Sequence, residues 1–329
     1  MIVGVARARL REPLISPHRG GEAEGWRLPA RLIVIAGPTA VGKSDLATRL
    51  AEAMAGEIVS ADSAQVYRGL DIGTAKPTAA ERARVPHHLI DVRDPREPFT
   101  VAEYQGLARA AIADIQGRGR LPLLVGGTGL YIRAVLRPFD FAGAPPDPAW
   151  RAQLATEQPL VLYARLRALD PAAAERIDPR NVRRTIRALE VCLTTGRPFS
   201  AGWRQAPDLP PDVAFYALDR PRADLYQRIA DRVHDQLRDG LLDEVAGLLA
   251  AGVPRAAQSM QALGYKEAAA HLAGEMSLAE MTDLLIRRTR QYAKRQLTWL
   301  RREPVRRWLH PDEAFDEVRR AGAPPPSSP

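Results

Sequence analysis

Eight consecutive residues, Gly37-Pro38-Thr39-Ala40-Val41-Gly42-Lys43-Ser44, fit the pattern of a glycine, four variable positions, then Gly-Lys and a hydroxyl residue. Glycines let the backbone wrap a phosphate, successive N–H groups point at its oxygens, and a lysine adds a compact charge. The Ser44 hydroxyl is then available as a magnesium ligand. Such a loop reads as a cradle for the di- or triphosphate of a nucleotide or another donor. By itself it names no reaction, because many chemistries share it.

Two further segments carry candidate chemistry. Asp62, in Ser60-Ala61-Asp62-Ser63-Ala64-Gln65-Val66-Tyr67, follows an apolar run and would face the ligand crevice of an open sheet. A carboxylate there can act as a general base; an Asx-turn or helix cap is the alternative reading. Gly126-Gly127-Thr128-Gly129 follows another apolar run. Its three glycines predict close backbone approach to a ligand, with Thr128 supplying a hydrogen bond. His87 and His88 are adjacent, so on a strand they point to opposite faces and do not share one metal. They read as structural, and Asp91 just beyond them is a weak candidate for an outer magnesium contact.

These segments need a frame that presents them together. Leu32–Ala36, Glu57–Ser60, Leu121–Val125 and Val213–Leu218 are short apolar runs that read as buried strands. Helical patterns at Lys43–Met54, Val101–Ile115 and from Ala223 onward alternate with them, which predicts an α/β fold with a parallel sheet covered on both faces. Proline clusters at 145–148 and 207–211 bracket a mostly helical stretch that includes Asn181–Thr194. The organisation expected is a disordered extension over 1–30, a P-loop core over 31–144, a helical insertion over 145–210, the core resumed over 211–315 with basic helices, and a disordered tail over 316–329. The extension lacks the apolar stretch of a secretory signal.

Composition narrows the class. The chain has 329 residues, 46% of them hydrophobic and 26% charged, and a single cysteine, Cys192. One cysteine excludes an intrachain disulfide and a multi-cysteine zinc site, and it fits a reducing cytoplasm. No apolar run approaches the roughly 18 residues of a membrane span. The formal net charge is +8. Leu284–Trp308 alone holds nine basic residues against one acidic residue, and the rest of the chain is balanced. A positive stretch on a neutral background predicts a polyanionic partner, nucleic acid being the usual one; a solvated helix face is the alternative. Only four of the 47 basic residues are lysines, Lys43, Lys76, Lys266 and Lys294. Those positions are where a compact ammonium serves better than a planar fork.

Taken together, GPTAVGKS (37–44), SADSAQVYRGLDIGTAKP (60–77), VPHHLID (85–91), VGGTGLYIRA (125–134), RRTIRALEV (183–191), ALGYKE (262–267) and TRQYAKRQLTWLR (289–301) closely resemble the tRNA dimethylallyltransferases, also called isopentenyl-tRNA transferases. The resemblance spans about residues 32 to 310. It implies transfer of a dimethylallyl group from dimethylallyl diphosphate to N6 of the adenosine 3′-adjacent to the anticodon, with Mg2+ assisting and diphosphate leaving. Asp62 then matches the acceptor-activating carboxylate, Lys43 the leaving-group lysine and Thr128 an orienting residue.

The same resemblance assigns RNA contacts to Asp62, Ser63, Ala64 and Gln65, to Thr128 and Arg151, and to Arg183, Arg184, Thr185, Ile186 and Arg187. It adds Gln261, Ala262, Leu263, Gly264, Tyr265 and Lys266, and then Lys294, Arg295, Gln296, Leu297, Thr298, Trp299, Leu300 and Arg301. The partner expected is a tRNA anticodon stem-loop, closed over by the helical insertion, with a cytoplasmic monomer as the default state. Arg287, Arg290 and Lys294 fall on one helical face that could follow phosphates. Tyr265, Tyr292 and Trp299 could stack on bases or pack in the core, Trp299 more in keeping with the core. The zinc-finger tail of eukaryotic relatives is absent. The competing reading is a P-loop small-molecule kinase using ATP, with Arg220, Arg222, Arg228 and Arg232 as lid arginines; it leaves the basic stretch and the insertion without a purpose. A non-catalytic RNA-binding module with a nucleotide-sensing loop is the other.

Overall fold

The computed structural model describes residues 31–137, 147–202, 209 and 212–322. Residues 1–30, 138–146, 203–208, 210–211 and 323–329, which include the N-terminal extension and parts of both proline clusters, lie outside the described residues.

The first strand, β1 (Leu32–Ala36), runs through the phosphate loop into α1 (Lys43–Ala53), and β2 (Gly56–Ala61) follows. Next come α2 (Ala79–Arg84), the two-residue β3 (His87–His88), α3 (Val101–Gly117), β4 (Leu121–Gly126) and α4 (Gly129–Leu136). A helical module holds α5 (Pro148–Leu154), α6 (Pro159–Leu169), α7 (Pro171–Arg176) and α8 (Val182–Thr195). The core resumes with β5 (Val213–Leu218), α9 (Arg222–Arg238), α10 (Leu241–Ala250), α11 (Tyr265–Leu272), α12 (Leu278–Leu300), β6 (Arg307–Leu309) and α13 (Pro311–Gly322).

The six strands form one sheet in the order β3-β2-β4-β1-β5-β6, parallel at every pairing. Alternation along β1 explains why it is apolar throughout. Leu32, Val34 and Ala36 enter the core on one face, and Ile33 and Ile35 enter the core on the other. The first core is closed by α3, α4, α11 and α12, the second by α1, the start of α9 and α13. All the strand-end loops that carry candidate chemistry emerge at the carboxyl edge of this sheet. The crevice lies where connections leave β1 and β4 in opposite directions.

The helical module has its own core, built on Leu154, Leu162, Leu166, Ile177 and Leu189. Glu190 is fully buried there. It accepts from Arg151 Nε and NH2 at 3.0 and 2.7 Å, from Arg187, and from the Asp147 backbone N–H at 2.8 Å. One carboxylate thus ties α5 to α8.

Two boundaries differ from the sequence reading. The tail expected from residue 316 begins inside α13, because Ala314 and Val318, one turn apart, bury against the sheet-side core. The edge strand β6 had no apolar signature: Arg307 and Trp308 are exposed, and the segment is a strand only through its pairing with β5.

Candidate active site

The phosphate loop is held by its carbonyls, one from within and two from outside. Lys43 Nζ donates to Pro38 O at 2.7 Å, Arg228 Nε to Ala40 O at 3.0 Å and Arg220 Nε to Val41 O at 3.0 Å. Ala40 sits at φ +63° and Gly42 at φ +106°, the left-handed region that an alanine adopts only at a cost. With Pro38, Ala40 and Val41 oxygens engaged in this way, the loop is set in the turn that presents its amides to a phosphate. Two loop amides are engaged within the protein: the Thr39 N–H donates to Gln296 Oε1 at 2.9 Å and the Val41 N–H to Pro38 O at 3.4 Å.

Asp62 follows the last residue of β2. Its Oδ1 accepts from the backbone N–H groups of Ala64 at 2.8 Å and Gln65 at 3.3 Å. The Asx-turn and the candidate base are thus the same residue: the turn occupies one carboxylate oxygen, and Oδ2 makes no hydrogen bond among the described residues. Gln65 accepts from Ser60 Oγ at 3.1 Å and donates to Thr74 O at 3.3 Å, tying the loop to β2. Thr128 Oγ1 accepts from the Ser63 N–H at 3.1 Å. This contact joins the loops after β2 and β4.

Three cavities meet at these residues. An outer one of about 540 Å³ is lined by Gly42, Lys43, Ser44, Arg228 and Arg232. An inner one is lined by Lys43, Ser44, Asp62, Gly126, Gly127, Arg232, Tyr292 and Gln296, with Ala47, Ile58, Ile90 and Val125 as its apolar wall. A third, of about 370 Å³, is lined by Asp62, Ser63, Ala64, Gln261, Ala262, Leu263, Tyr292 and Arg295. Arg232 borders all three, and Asp62 and Tyr292 border the inner and third. The carboxylate therefore stands between the cradle and a cavity walled by three of the segments assigned to RNA by resemblance.

The electrostatics follow from burial. Desolvation, then the Arg232 charge, lowers Lys43 from 10.5 to about 7, with Asp62 opposing. Burial also lowers Arg232, and Asp62 opposes again. Arg232 donates to Thr74 O at 3.2 Å. Burial and the Asp62 charge push Tyr292 up to about 12, so its phenol stays protonated. The Ser44 side chain is exposed beside Lys43 and makes no hydrogen bond among the described residues, which leaves its hydroxyl fit to take a cation held by a bound diphosphate. No group of three or more His, Cys, Asp or Glu side chains among the described residues could hold a metal unaided.

Several of the residues expected to make contacts are packed against protein neighbours. The glycines after β4 make room for protein neighbours: a Cβ at Gly126 would overlap Ala61, one at Gly127 would overlap Gln296, and one at Gly129 would overlap the Trp299 ring. Gly126 and Gly127 still line the inner cavity. Tyr265 is 0% exposed and donates to Glu244, so it packs in the core instead of stacking on bases. Trp299 packs against the sheet core, and Leu300, Thr185 and Ile186 are buried. Gly264, at φ +92°, turns the chain into α11. Arg290 is half-buried, donating to Tyr226 O at 3.3 Å and lying over its ring, which breaks the expected basic stripe. Gln296 is 6% exposed, with its amide bonded to the Thr39 N–H and to Gly127 O.

Other expectations hold positions apart from the carboxylate. Lys294, Leu297, Thr298 and Arg301 line a separate cavity on another face of α12, with Arg220, Arg222 and Tyr226. Arg183, Arg184 and Lys266 are exposed. Lys76 is buried and donates to Tyr67 O at 2.8 Å, to Asp91 at 2.6 Å and to Asp71, a three-way contact suited to an ammonium. It commits Asp91 to a structural pair. His88 Nε2 meets Glu57 Oε2 at 2.8 Å, and His87 Nδ1 meets Val85 O at 2.8 Å, the structural roles expected of them. The sequence reading gave Arg232 only as a lid arginine of the kinase alternative and Tyr292 only as a residue that could stack on bases or pack in the core, and placed neither beside Asp62. Arg232 recurs one turn after Arg228 in α9, the spacing that puts both on the cradle.

A parallel sheet with a phosphate cradle at β1, a carboxylate at β2 and a linking run of cavities defines a P-loop group-transfer enzyme. The comparisons narrow the class. The sequence model for IPP transferase matches residues 65–303, and that for isopentenyl transferase matches residues 30–97. The tRNA dimethylallyltransferase 1 of Trichlorobacter lovleyi is 50% identical over 299 residues, covering 89% of this chain and 98% of that one. The tRNA dimethylallyltransferase of Geobacillus thermodenitrificans is 49% identical over 284 residues, 85% of this chain and 90% of that one. Among solved structures, the tRNA isopentenylpyrophosphate transferase of Bacillus halodurans superposes with a TM-score of 0.67 at 43% identity, covering 89% of this chain and 95% of that one. A eukaryotic dimethylallyltransferase acting on tRNA gives 0.72 at 32% identity, covering 83% and 70%. The chain belongs to the tRNA dimethylallyltransferase (IPP transferase) family and is a prenyl-transferring enzyme. This overturns the kinase and binding-module readings. Arg220 and Arg228 accordingly brace the cradle instead of forming a lid.

Proposed function

We propose that the protein transfers a dimethylallyl group from dimethylallyl diphosphate to N6 of the adenosine 3′-adjacent to a tRNA anticodon. The observation that carries this reading is Asp62, which borders both the cavity behind the phosphate cradle and the cavity walled by Gln261, Leu263 and Arg295. An exocyclic adenine amine is a poor nucleophile because its lone pair is delocalised into the ring. In the transfer, N6 forms a bond to C1 of the allyl group, the C1–O bond to diphosphate breaks, and the N6 proton passes to Asp62. The base must leave its stack to reach the carboxylate.

The leaving diphosphate gathers charge as the C–O bond lengthens. Lys43, Arg232 and the loop amides face that charge. Mg2+, held by the Ser44 hydroxyl and diphosphate oxygens, would add neutralisation there. Ala47, Ile58, Ile90 and Val125 give the inner cavity an apolar side suited to an isoprenoid. Thr128 fixes the Asp62 loop through the Ser63 amide.

Exposed Arg183 and Arg184 on α8, with Lys266, supply charges for the stem-loop backbone. The reading carries with it a monomer working in the cytoplasm; no helix among the described residues is long and apolar enough to cross a membrane. Mass spectrometry of an anticodon stem-loop incubated with protein, Mg2+ and dimethylallyl diphosphate tests it. One isopentenyl group on the expected adenosine is the outcome the reading requires, and an unmodified loop would refute it.

A further inference from the structure

Gln296 lies on α12, the helix that carries the basic stretch, yet its amide turns inward. Oε1 accepts the Thr39 N–H at 2.9 Å, and Nε2 donates to Gly127 O at 3.0 Å. These two backbone groups belong to different loops, one leaving β1 and the other leaving β4. The first loop is the phosphate cradle, and the second leads into Thr128, which holds the loop of Asp62. One side chain therefore sets the spacing between the group that grips the donor and the group that primes the acceptor.

The surroundings are built round this amide. A Cβ at Gly127 would overlap Gln296 Nε2. The oxygens of Pro38, Ala40 and Val41 are engaged by Lys43, Arg228 and Arg220, and Thr39 is where α12 takes hold of the loop. One turn earlier, Tyr292 lines the same inner cavity as Gln296. Few side chains can accept at one end and donate at the other across this gap. Glutamate keeps the length but sets a carboxylate against the Gly127 carbonyl, and methionine fills the space with neither bond.

We propose that Gln296 is a positioning residue for prenyl transfer: with both ends of its amide committed to backbone groups, it fixes the distance between the loop that grips the donor and the loop that leads to the acceptor's base. The inference rests on the transfer reading above. A displacement of a few tenths of an ångström between two loops penalises the reacting geometry more than the binding of either substrate. The signature is a loss in kcat with little change in KM.

The test uses the full chain and an anticodon stem-loop, with wild-type transfer scoring the reaction itself and the variants scoring Gln296. In Gln296→Met and Gln296→Glu, kcat falls by about tenfold or more while KM for RNA stays within about twofold. Exchange of the Thr39 amide hydrogen, a readout independent of activity, quickens in Gln296→Met. The double variant Gly127→Ala/Gln296→Ala refills the space with a methyl group and serves as the packing control. It remains slow if the two hydrogen bonds matter, and it returns to the wild-type rate if Gln296 only packs. Wild-type kcat in Gln296→Met or in the double variant, or an unchanged Thr39 exchange rate, overturns the proposal.

Discussion

Arg228 reaches across 188 residues of sequence to donate to the carbonyl of Ala40, the residue of the cradle held at φ +63°. A left-handed alanine persists where its surroundings over-determine it. Here the guanidinium holds the carbonyl of that alanine, so α9 braces the pre-formed turn of the cradle. Arg228→Met keeps the stem and removes the hydrogen bond. It raises KM for dimethylallyl diphosphate by roughly five- to tenfold, the worth of one solvent-exposed hydrogen bond. Steady-state kinetics at saturating RNA give the number, and an unchanged KM argues against pre-forming.

The Lys43 ammonium carries a pH consequence. Its pKa is lowered to about 7 by burial first and by Arg232 second, so above pH 7 the free site has largely lost that charge. A bound diphosphate restores the pKa upward and draws a proton in. Affinity for inorganic diphosphate therefore falls as pH rises through about 7. At pH 8, binding takes up more protons in wild type than in Lys43→Met, by an amount approaching one. At pH 6 the difference vanishes, because Lys43 is already charged. Calorimetry in buffers of different ionisation heat measures the uptake, and equal uptake by both proteins at pH 8 contradicts the assignment.

The arginines of the helical module divide into two kinds. Arg151 and Arg187 are held by buried Glu190, whereas Arg183 and Arg184 are exposed and form no ion pair among the described residues. Arg183→Ala/Arg184→Ala lowers the slope of log affinity for RNA against log salt by about 1.4 to 1.8, as expected for two lost phosphate contacts, and leaves inorganic diphosphate binding as it was. Arg151→Ala lowers the melting temperature instead, because it strips a partner from a buried carboxylate. A salt titration of stem-loop binding, run beside thermal unfolding, separates the two. Equal salt slopes for the double variant and wild type would remove these arginines from the RNA surface.

Much of the frame was legible because its physics is local. β1 and β5 are apolar on both faces, and the glycine–lysine loop between β1 and α1 follows from its own residues. The rarity of lysine even anticipated Lys76, where an ammonium meets three oxygens. What was hidden depends on partners remote in sequence. β6 is a strand through β5 alone, and Arg232 joins the cradle only once α9 has folded against it. The motif windows mixed surface and interior: Tyr265, Leu300, Thr185 and Ile186 share segments with exposed Lys266, Arg301 and Arg184. Spacing recognises such a segment but does not say which of its side chains faces out. Gln296 illustrates the cost, since its role appears only when Thr39 and Gly127 are seen on either side of it.

The most direct measurement concerns the Asp62 carboxylate. Asp62→Asn keeps an oxygen to accept from the Ala64 and Gln65 amides, so the loop stays formed, but it cannot take the N6 proton. Rapid-quench single-turnover transfer to an anticodon stem-loop, at saturating dimethylallyl diphosphate, isolates that step. The rate falls by about 10²- to 10⁴-fold, while inorganic diphosphate affinity stays within about threefold of wild type. An Asp62→Asn protein that transfers within tenfold of the wild-type rate would contradict the account.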